Sequence, residues 1–206
     1  GSMIVDISLT LLEQIFNQVD LWRTQDLWRE DQQIYYTLSL RELEHPSFTL
    51  SIKALLTKYA IKADTLIFTL HTETLPKIHN PLTLQLNSLK ALGIQFMVDN
   101  VGYQTLPIQK LREFDVGTIR ISHKLMAECP YMESSWNLVK GLVELTKSVG
   151  LNCIAPCVEE AEIHHLLLDT GCQLLQGNLI APPSPATAIT RMLIERNSLS
   201  REESTA

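Results

Sequence analysis

Glycine is scarce where a dinucleotide-binding fold would need it. Only 8 of the 206 residues are glycine, and no G-x-G-x-x-G turn follows any strand-like segment, so the usual phosphate-cradling first turn of a doubly wound sheet is missing. Long apolar runs are missing too. None approaches the roughly 20 residues that cross a bilayer as a helix. The chain has no cationic excess, with 17 Lys and Arg against 23 Asp and Glu and a formal net charge of −6. That balance argues against direct nucleic-acid binding through phosphate contacts and against anionic membrane surfaces. No secretory leader opens the sequence, and the initial "GSM" reads as a tag scar before a start Met. The four cysteines (Cys129, Cys153, Cys157, Cys172) lack paired C-x-x-C spacing. They therefore read as reduced thiols, and the location as cytoplasmic.

What is present is a regular alternation of strand-like and helix-like segments. Hydrophobic residues make up 45% and charged residues 19%, enough for one domain with a substantial core. Leu11, Leu12, Ile15, Phe16, Val19 and Trp22 form a helical stripe over 8–25. Strands are expected over 33–40, 64–73, 94–99, 118–122, 150–157 and 172–180. Helices are expected between them over 47–60 (with Ser47 as N-cap), 80–93, 105–114, 134–149 and 159–171. Short connections between such segments imply parallel strands with right-handed crossovers. The expected fold is α/β, a TIM-like (β/α) barrel that is incomplete because about 250 residues are typical, and that lacks its first one or two strands. Residues 1–6 read as scar and leader, 7–190 as the domain, and 191–206 as a polar tail, frayed over its last ten residues, 197–206.

The stretch "GIQFMVDNVGYQ" (93–104) raises the functional question. A buried parallel strand delivers Asp99 and Asn100 to the sheet's C-terminal end, where barrel active sites are built. One carboxylate beside one amide is a poor start for metal or acid–base chemistry. The ordered series "YYTLSL", "LIFTLHTE", "GIQFMVDNVGYQ", "DVGTIRIS", "LNCIAPCVEEAE" and "GCQLLQGNLIAPP" resembles the EAL domain of bacterial cyclic di-GMP phosphodiesterases, over about residues 7–185. Its closing segment, with Gly171, Gln176, Gly177 and Pro182, is the strongest single match. The segment with the Glu-Ala-Leu triplet that names the family is absent from the match.

The resemblance implies two divalent metals held by strand-end carboxylates and an Asn, activating water against a phosphodiester. Carried over position by position, the family's strand-end Asn falls on Thr37 and the two glutamates of Glu-Leu-Thr-Glu on Thr69 and Thr72. Asp99 survives from the Asp-Asp pair, and the second Asp is Asn100. Lys-Ile-Asp has become Arg120 and Ser122 at its outer positions. In Ala-Glu-Gly-Val-Glu, Ala155, Val158 and Glu159 persist, while the Glu is Pro156 and the Gly is Cys157. Gln176 is kept. One carboxylate does not cage two hard cations, so these positions read as the relic of an active site, with no metal, no cofactor and no enzymatic activity expected.

Simpler roles suit most of these residues. Asp99 is expected to cap the following turn or to pair with Arg120. Cys153, Cys157 and His71 or His123 suggest zinc only weakly, and buried core thiols fit better. The basic group Lys110, Arg112, Arg120, His123 and Lys124 reads as a solvated rim. The degenerate motifs resemble in particular the carbon-storage regulator D type. That implies upstream membrane and GGDEF-like regions, a membrane-anchored parent and a phosphotransferase-system partner, with an influence on regulatory RNA turnover. The expected function is a regulatory protein–protein interaction module in bacterial signalling, with a homodimer as the simplest self-association. A cyclic di-GMP receptor is the alternative, although weak or absent nucleotide binding is expected, and an active phosphodiesterase is the remaining reading.

Overall fold

The computed structural model describes residues 2–104 and 108–203. The first element, α1 (Ser2–Thr24), is helical because Val5, Leu12, Phe16 and Val19 recur every three to four residues or at multiples of that spacing, and all four are buried. The chain then runs β1 (Ile34–Thr37), α2 (Leu40–Glu44), α3 (Phe48–Lys58), β2 (Leu66–His71), α4 (Asn80–Ala91) and β3 (Gln95–Val101). It continues through α5 (Ile108–Glu113), β4 (Thr118–Ile121), α6 (His123–Glu128), α7 (Glu133–Val149), β5 (Asn152–Ala155), α8 (Ala161–Asp169), β6 (Leu174–Leu175) and α9 (Ala186–Glu203).

Among the described residues the six strands pair in parallel, in sequence order β1 to β6. They form a curled half-barrel with helices outside it, an α/β TIM-like fold. Strand side chains alternate between two faces. Leu66, Phe68, Leu70, Phe96, Val98, Ile119 and Ile121 join the large core beneath the helices. Ile67, Met97 and Ile154 form a separate small cluster, which marks the opposite face. Burial on both faces explains why β2 and β3 read as nearly continuous apolar runs.

Several elements differ from the sequence expectation. The strand expected over 33–40 stops at Thr37, because Ser39 and Glu42 form a reciprocal capping box that starts α2. Ser47 precedes α3, but its hydroxyl makes no cap bond and meets the His45 ring instead. The strand expected over 172–180 pairs only at Leu174–Leu175. Helix α6 was not expected, and the first three residues of the helix expected over 105–114 lie outside the described residues. Of the tail expected to fray over 197–206, residues 197–203 belong instead to α9, and the rest lie outside the described residues. That helix buries Leu193 and accepts a hydrogen bond from Trp22 Nε1 at Thr190 Oγ1 (2.8 Å).

Candidate functional site

The strand register gathers the sequence-predicted positions at one end of the sheet. Thr37 lies opposite Thr69, Thr69 opposite Met97, and His71 opposite Asp99. Arg120 lies opposite Ile154. Alternation therefore puts Thr69 and His71 on the face of Ile67, and Asp99 on the face of Met97. The register shifts between Val98 and Val101, where Asn100 adopts a left-handed conformation (φ 68°) that Asn tolerates better than most residues. Gly102 follows with φ 97°, and a Cβ there would strike Leu125 and Leu142.

Asp99 and Arg120 form the centre. Arg120 Nε donates to Asp99 Oδ1 at 2.9 Å, and Nη2 donates to Oδ2 at 2.6 Å. This is the planar two-pronged geometry in which guanidinium and carboxylate fit best. The Asn100 amide donates to Asp99 Oδ1 at 2.7 Å, and His71 Nδ1 stands 3.7 Å from Oδ2. Asp99 is only 4% exposed. Burial works against its charge, but the hydrogen bonds and charge of Arg120, helped by the Asn100 amide, outweigh it and hold the carboxyl below its ordinary range. The bond to Asp99 likewise raises the Arg120 guanidinium despite burial. Of the two structural roles expected for Asp99, the pairing with Arg120 is present; its remaining side-chain hydrogen bond is to the neighbouring Asn100 amide within β3 rather than to the turn that follows.

The other positions surround this pair. Thr69 and Thr72 are buried. The Thr72 amide donates to the Asp99 carbonyl (3.1 Å). Ser122 is buried before α6, and its hydroxyl has no hydrogen-bond partner among the described residues. Thr37 and Gln176 are exposed, and Pro156 is buried at the end of β5. Arg120 Nη1 donates to Gln176 Oε1 at 3.3 Å, so Gln176 belongs to the centre. Glu159 lies on the rim, accepting from Asn178 Nδ2 at 3.1 Å. Gly177 lets the last strand's exit approach the backbone of Val158, which a Cβ would strike.

The donor set does not fit a pair of divalent cations. Asp99 spends both oxygens on Arg120, and among the described residues no group of three or more His, Cys, Asp or Glu is placed to hold a metal. Cys129, Cys153 and Cys172 are buried, as expected of core thiols, but Cys157 is exposed. The sequence grouped it with His123 only as part of a weak zinc reading; the structure brings those two together, His123 Nδ1 lying 3.0 Å from Cys157 Sγ, without a third ligand among the described residues. The two are 34 positions apart, and only the strand register of β4 and β5 brings them together. Of the basic rim, Arg120 instead turns inward to Asp99, Lys110 pairs with Glu113, and Lys124 lies over the Tyr103 ring.

A curled parallel half-barrel with polar strand ends defines an α/β barrel-type domain whose site lies at the C-terminal ends of its strands. The EAL domain family model matches residues 2–183, and the chain belongs to that family. It is 24% identical over 184 residues to the bifunctional diguanylate cyclase/cyclic di-GMP phosphodiesterase MucR of Pseudomonas aeruginosa, covering 89% of this chain and 27% of that protein. It is 24% identical over 192 residues to the cyclic di-GMP phosphodiesterase PdeR of Escherichia coli, covering 93% of this chain and 28% of that protein. The chain thus spans about a quarter of the length of these curated relatives. Among solved structures, it superposes on the PaMucR phosphodiesterase in complex with c-di-GMP with a TM-score of 0.83 at 23% identity, covering 91% of this chain and 75% of that one. It also superposes on the EAL domain of Mycobacterium smegmatis DcpA with a TM-score of 0.84 at 19% identity, covering 93% and 85%. Among the described residues no helix is long and apolar enough to cross a membrane.

These relatives overturn one expectation. The absence of enzymatic activity was argued from counting carboxylates at strand ends, yet proteins that this chain matches over 93% and 66% of its length are named cyclic di-GMP phosphodiesterases. A count of strand-end carboxylates along the sequence does not by itself decide activity.

Proposed function

We propose that this EAL domain acts as a regulatory protein-interaction module in cyclic di-GMP signalling, docking a protein of the phosphotransferase type along the edge of its sheet. The observation that carries the reading is the pair of edge strands. β1 and β6 are each paired on one side only among the described strands; Tyr35 and Leu174 stand exposed on them, and Leu179 and Ile180 stand exposed in the turn that follows β6. Unpaired strand edges flanked by apolar side chains recruit another chain. The engagement of Asp99 by Arg120 agrees with a domain whose strand-end residues hold the scaffold in shape.

A second reading is nucleotide recognition, and the Arg120–Gln176 contact favours it. A guanidinium and an amide side by side at the mouth match a phosphate and a purine edge, and the PaMucR phosphodiesterase structure is a c-di-GMP complex. One set of measurements separates the readings. Titration with the purified glucose-specific phosphotransferase protein should give saturable binding that Leu179→Asp and Ile180→Asp abolish, while cyclic di-GMP binds weakly. Sub-micromolar nucleotide affinity lost on Arg120→Ala would replace the first reading with the second. Metal-dependent hydrolysis lost on Asp99→Ala would assign the chain the activity after which its relatives are named.

A further inference from the structure

Cys157 and His123 form a thiol–imidazole pair that neither the fold nor the proposed function uses. Cys157 follows the end of β5 in a left-handed backbone conformation (φ 59°), and His123 opens α6 after β4. Their side chains meet at 3.0 Å from Nδ1 to Sγ. Both are exposed, and both line a cleft of about 770 Å³ whose other walls include Glu159, Gln176, Asn178 and Arg196.

We propose that Cys157 is a thiol–disulfide exchange site for a low-molecular-weight disulfide of the glutathione class, with His123 as its base. In the exchange, Cys157 Sγ forms a bond to one sulfur of the incoming disulfide and the incoming S–S bond breaks. His123, with its own proton on Nε2, takes the thiol proton at Nδ1 and returns it to the departing thiolate. One disulfide is consumed, one mixed disulfide forms, and one small thiol leaves, so electrons and protons balance with no further oxidant.

The base has work to perform. Burial and the Glu159 carboxylate hold the Cys157 thiol above its ordinary range, only partly countered by Arg120, and the thiolate is the attacking species. A thiol that is protonated at neutral pH depends on an adjacent proton acceptor. The remaining cysteines cannot compete. Cys129 is buried, and burial with the Glu128 charge pushes it up to about 11. Cys153 and Cys172 are buried against one another, the Cys172 thiol donating to the Cys153 carbonyl. No second exposed thiol is present to resolve a mixed disulfide into an internal one, so the adduct persists until a reductant removes it. Its bulk fills the cleft beside Gln176, which contacts Arg120, so the modification bears directly on the strand-end centre.

The test is to incubate the folded chain with oxidised glutathione at neutral pH and follow the adduct by intact mass and peptide mapping. One adduct is expected, mapped to Cys157, absent in Cys157→Ser and removed by dithiothreitol. His123→Gln keeps a polar side chain of similar reach without the base and should slow adduct formation about a hundredfold. The rate with a denatured chain gives the unassisted reference, and thermal melts confirm that the variants fold. Adduct on Cys129, Cys153 or Cys172, no adduct at all, or an unchanged rate in a folded His123→Gln variant would each overturn the proposal.

Discussion

At the scale of single residues, Asp99 and Arg120 set the character of the strand ends. Two charges in a largely buried position stabilise one another only as a pair, and removing one partner leaves the other uncompensated. The Arg120 side chain is 17% exposed, which places its charge mostly out of water once Asp99 is gone. Asp99→Ala should therefore cost about 3 kcal/mol, read as a lower urea midpoint with an unchanged slope. Arg120→Ala should cost a similar amount, and the double variant less than the sum, because neither residue then strands the other. The pH dependence carries a definite sign. The carboxyl is held below its ordinary range when folded, so its contribution is present above the unfolded value of about 3.9 and is lost as pH falls through the folded value. The gap in urea midpoint between the native chain and Asp99→Asn should stay constant from about pH 5 to about pH 8 and narrow below about pH 4. A gap that widens in acid would show that the pair is not what holds Asp99.

At the scale of elements, α2 shows how much local chemistry decides and how much of it the sequence displays. Ser39 and Glu42 stand at the spacing of a capping box, and both halves form, with the Ser39 amide donating to Glu42 Oε2 at 2.7 Å. Glu42 is buried and also accepts from the Tyr36 hydroxyl at 2.9 Å. Burial, with the Glu42 charge added, pushes the Tyr36 phenol up to about 12 despite a Ser8 contact. Ser39→Ala removes the cap and should cost about 1 kcal/mol, which a thermal melt resolves and Ser39→Thr should largely restore. This signal was legible as S-x-x-E, but the aromatic, β-branched run before it extended the strand reading across it. The helical stripe of α1 and the apolar runs of β2 and β3 were legible for a simpler reason: their spacing alone fixes which face is buried. The Asp99–Arg120 pair was legible because both residues sit at the ends of adjacent strands. The Cys157–His123 pair was legible only as part of a weak zinc grouping, since no spacing shows that a residue after β5 and the first residue of α6, 34 positions apart, converge without a third ligand. Helix α9 was hidden by its polar composition, because its packing rests on a few residues, Ile189 and Leu193 among them, rather than on a continuous stripe.

At the scale of the whole molecule, α9 ties the last segment of the chain to the first. Trp22 near the end of α1 donates to Thr190 at 2.8 Å and stacks on Trp28, with ring centroids 6.1 Å apart and planes 3° from parallel. The Asn197 side-chain amide donates to the Asp26 carbonyl at 3.3 Å, and Leu193 is buried in the main core cluster. These contacts join segments about 170 positions apart while β1 and β6 keep their outer edges unpaired among the described strands. The helix therefore works as a strap across the molecule rather than as a further sheet neighbour. Truncation after residue 185 should expose Trp22 and remove the burial of Leu193 and Ile189, a loss of about 2–3 kcal/mol. For a chain of this size that lowers the melting temperature by roughly 4–12 °C. Exposed apolar surface next to an unpaired strand edge also favours association with a second copy. Sedimentation at tens of micromolar should accordingly show the truncated chain shifting towards larger species as concentration rises, more steeply than the intact chain does. If the truncated chain melts at the same temperature and sediments as the intact one does, α9 is an appendage, and the two ends of the fold are held together by the sheet alone.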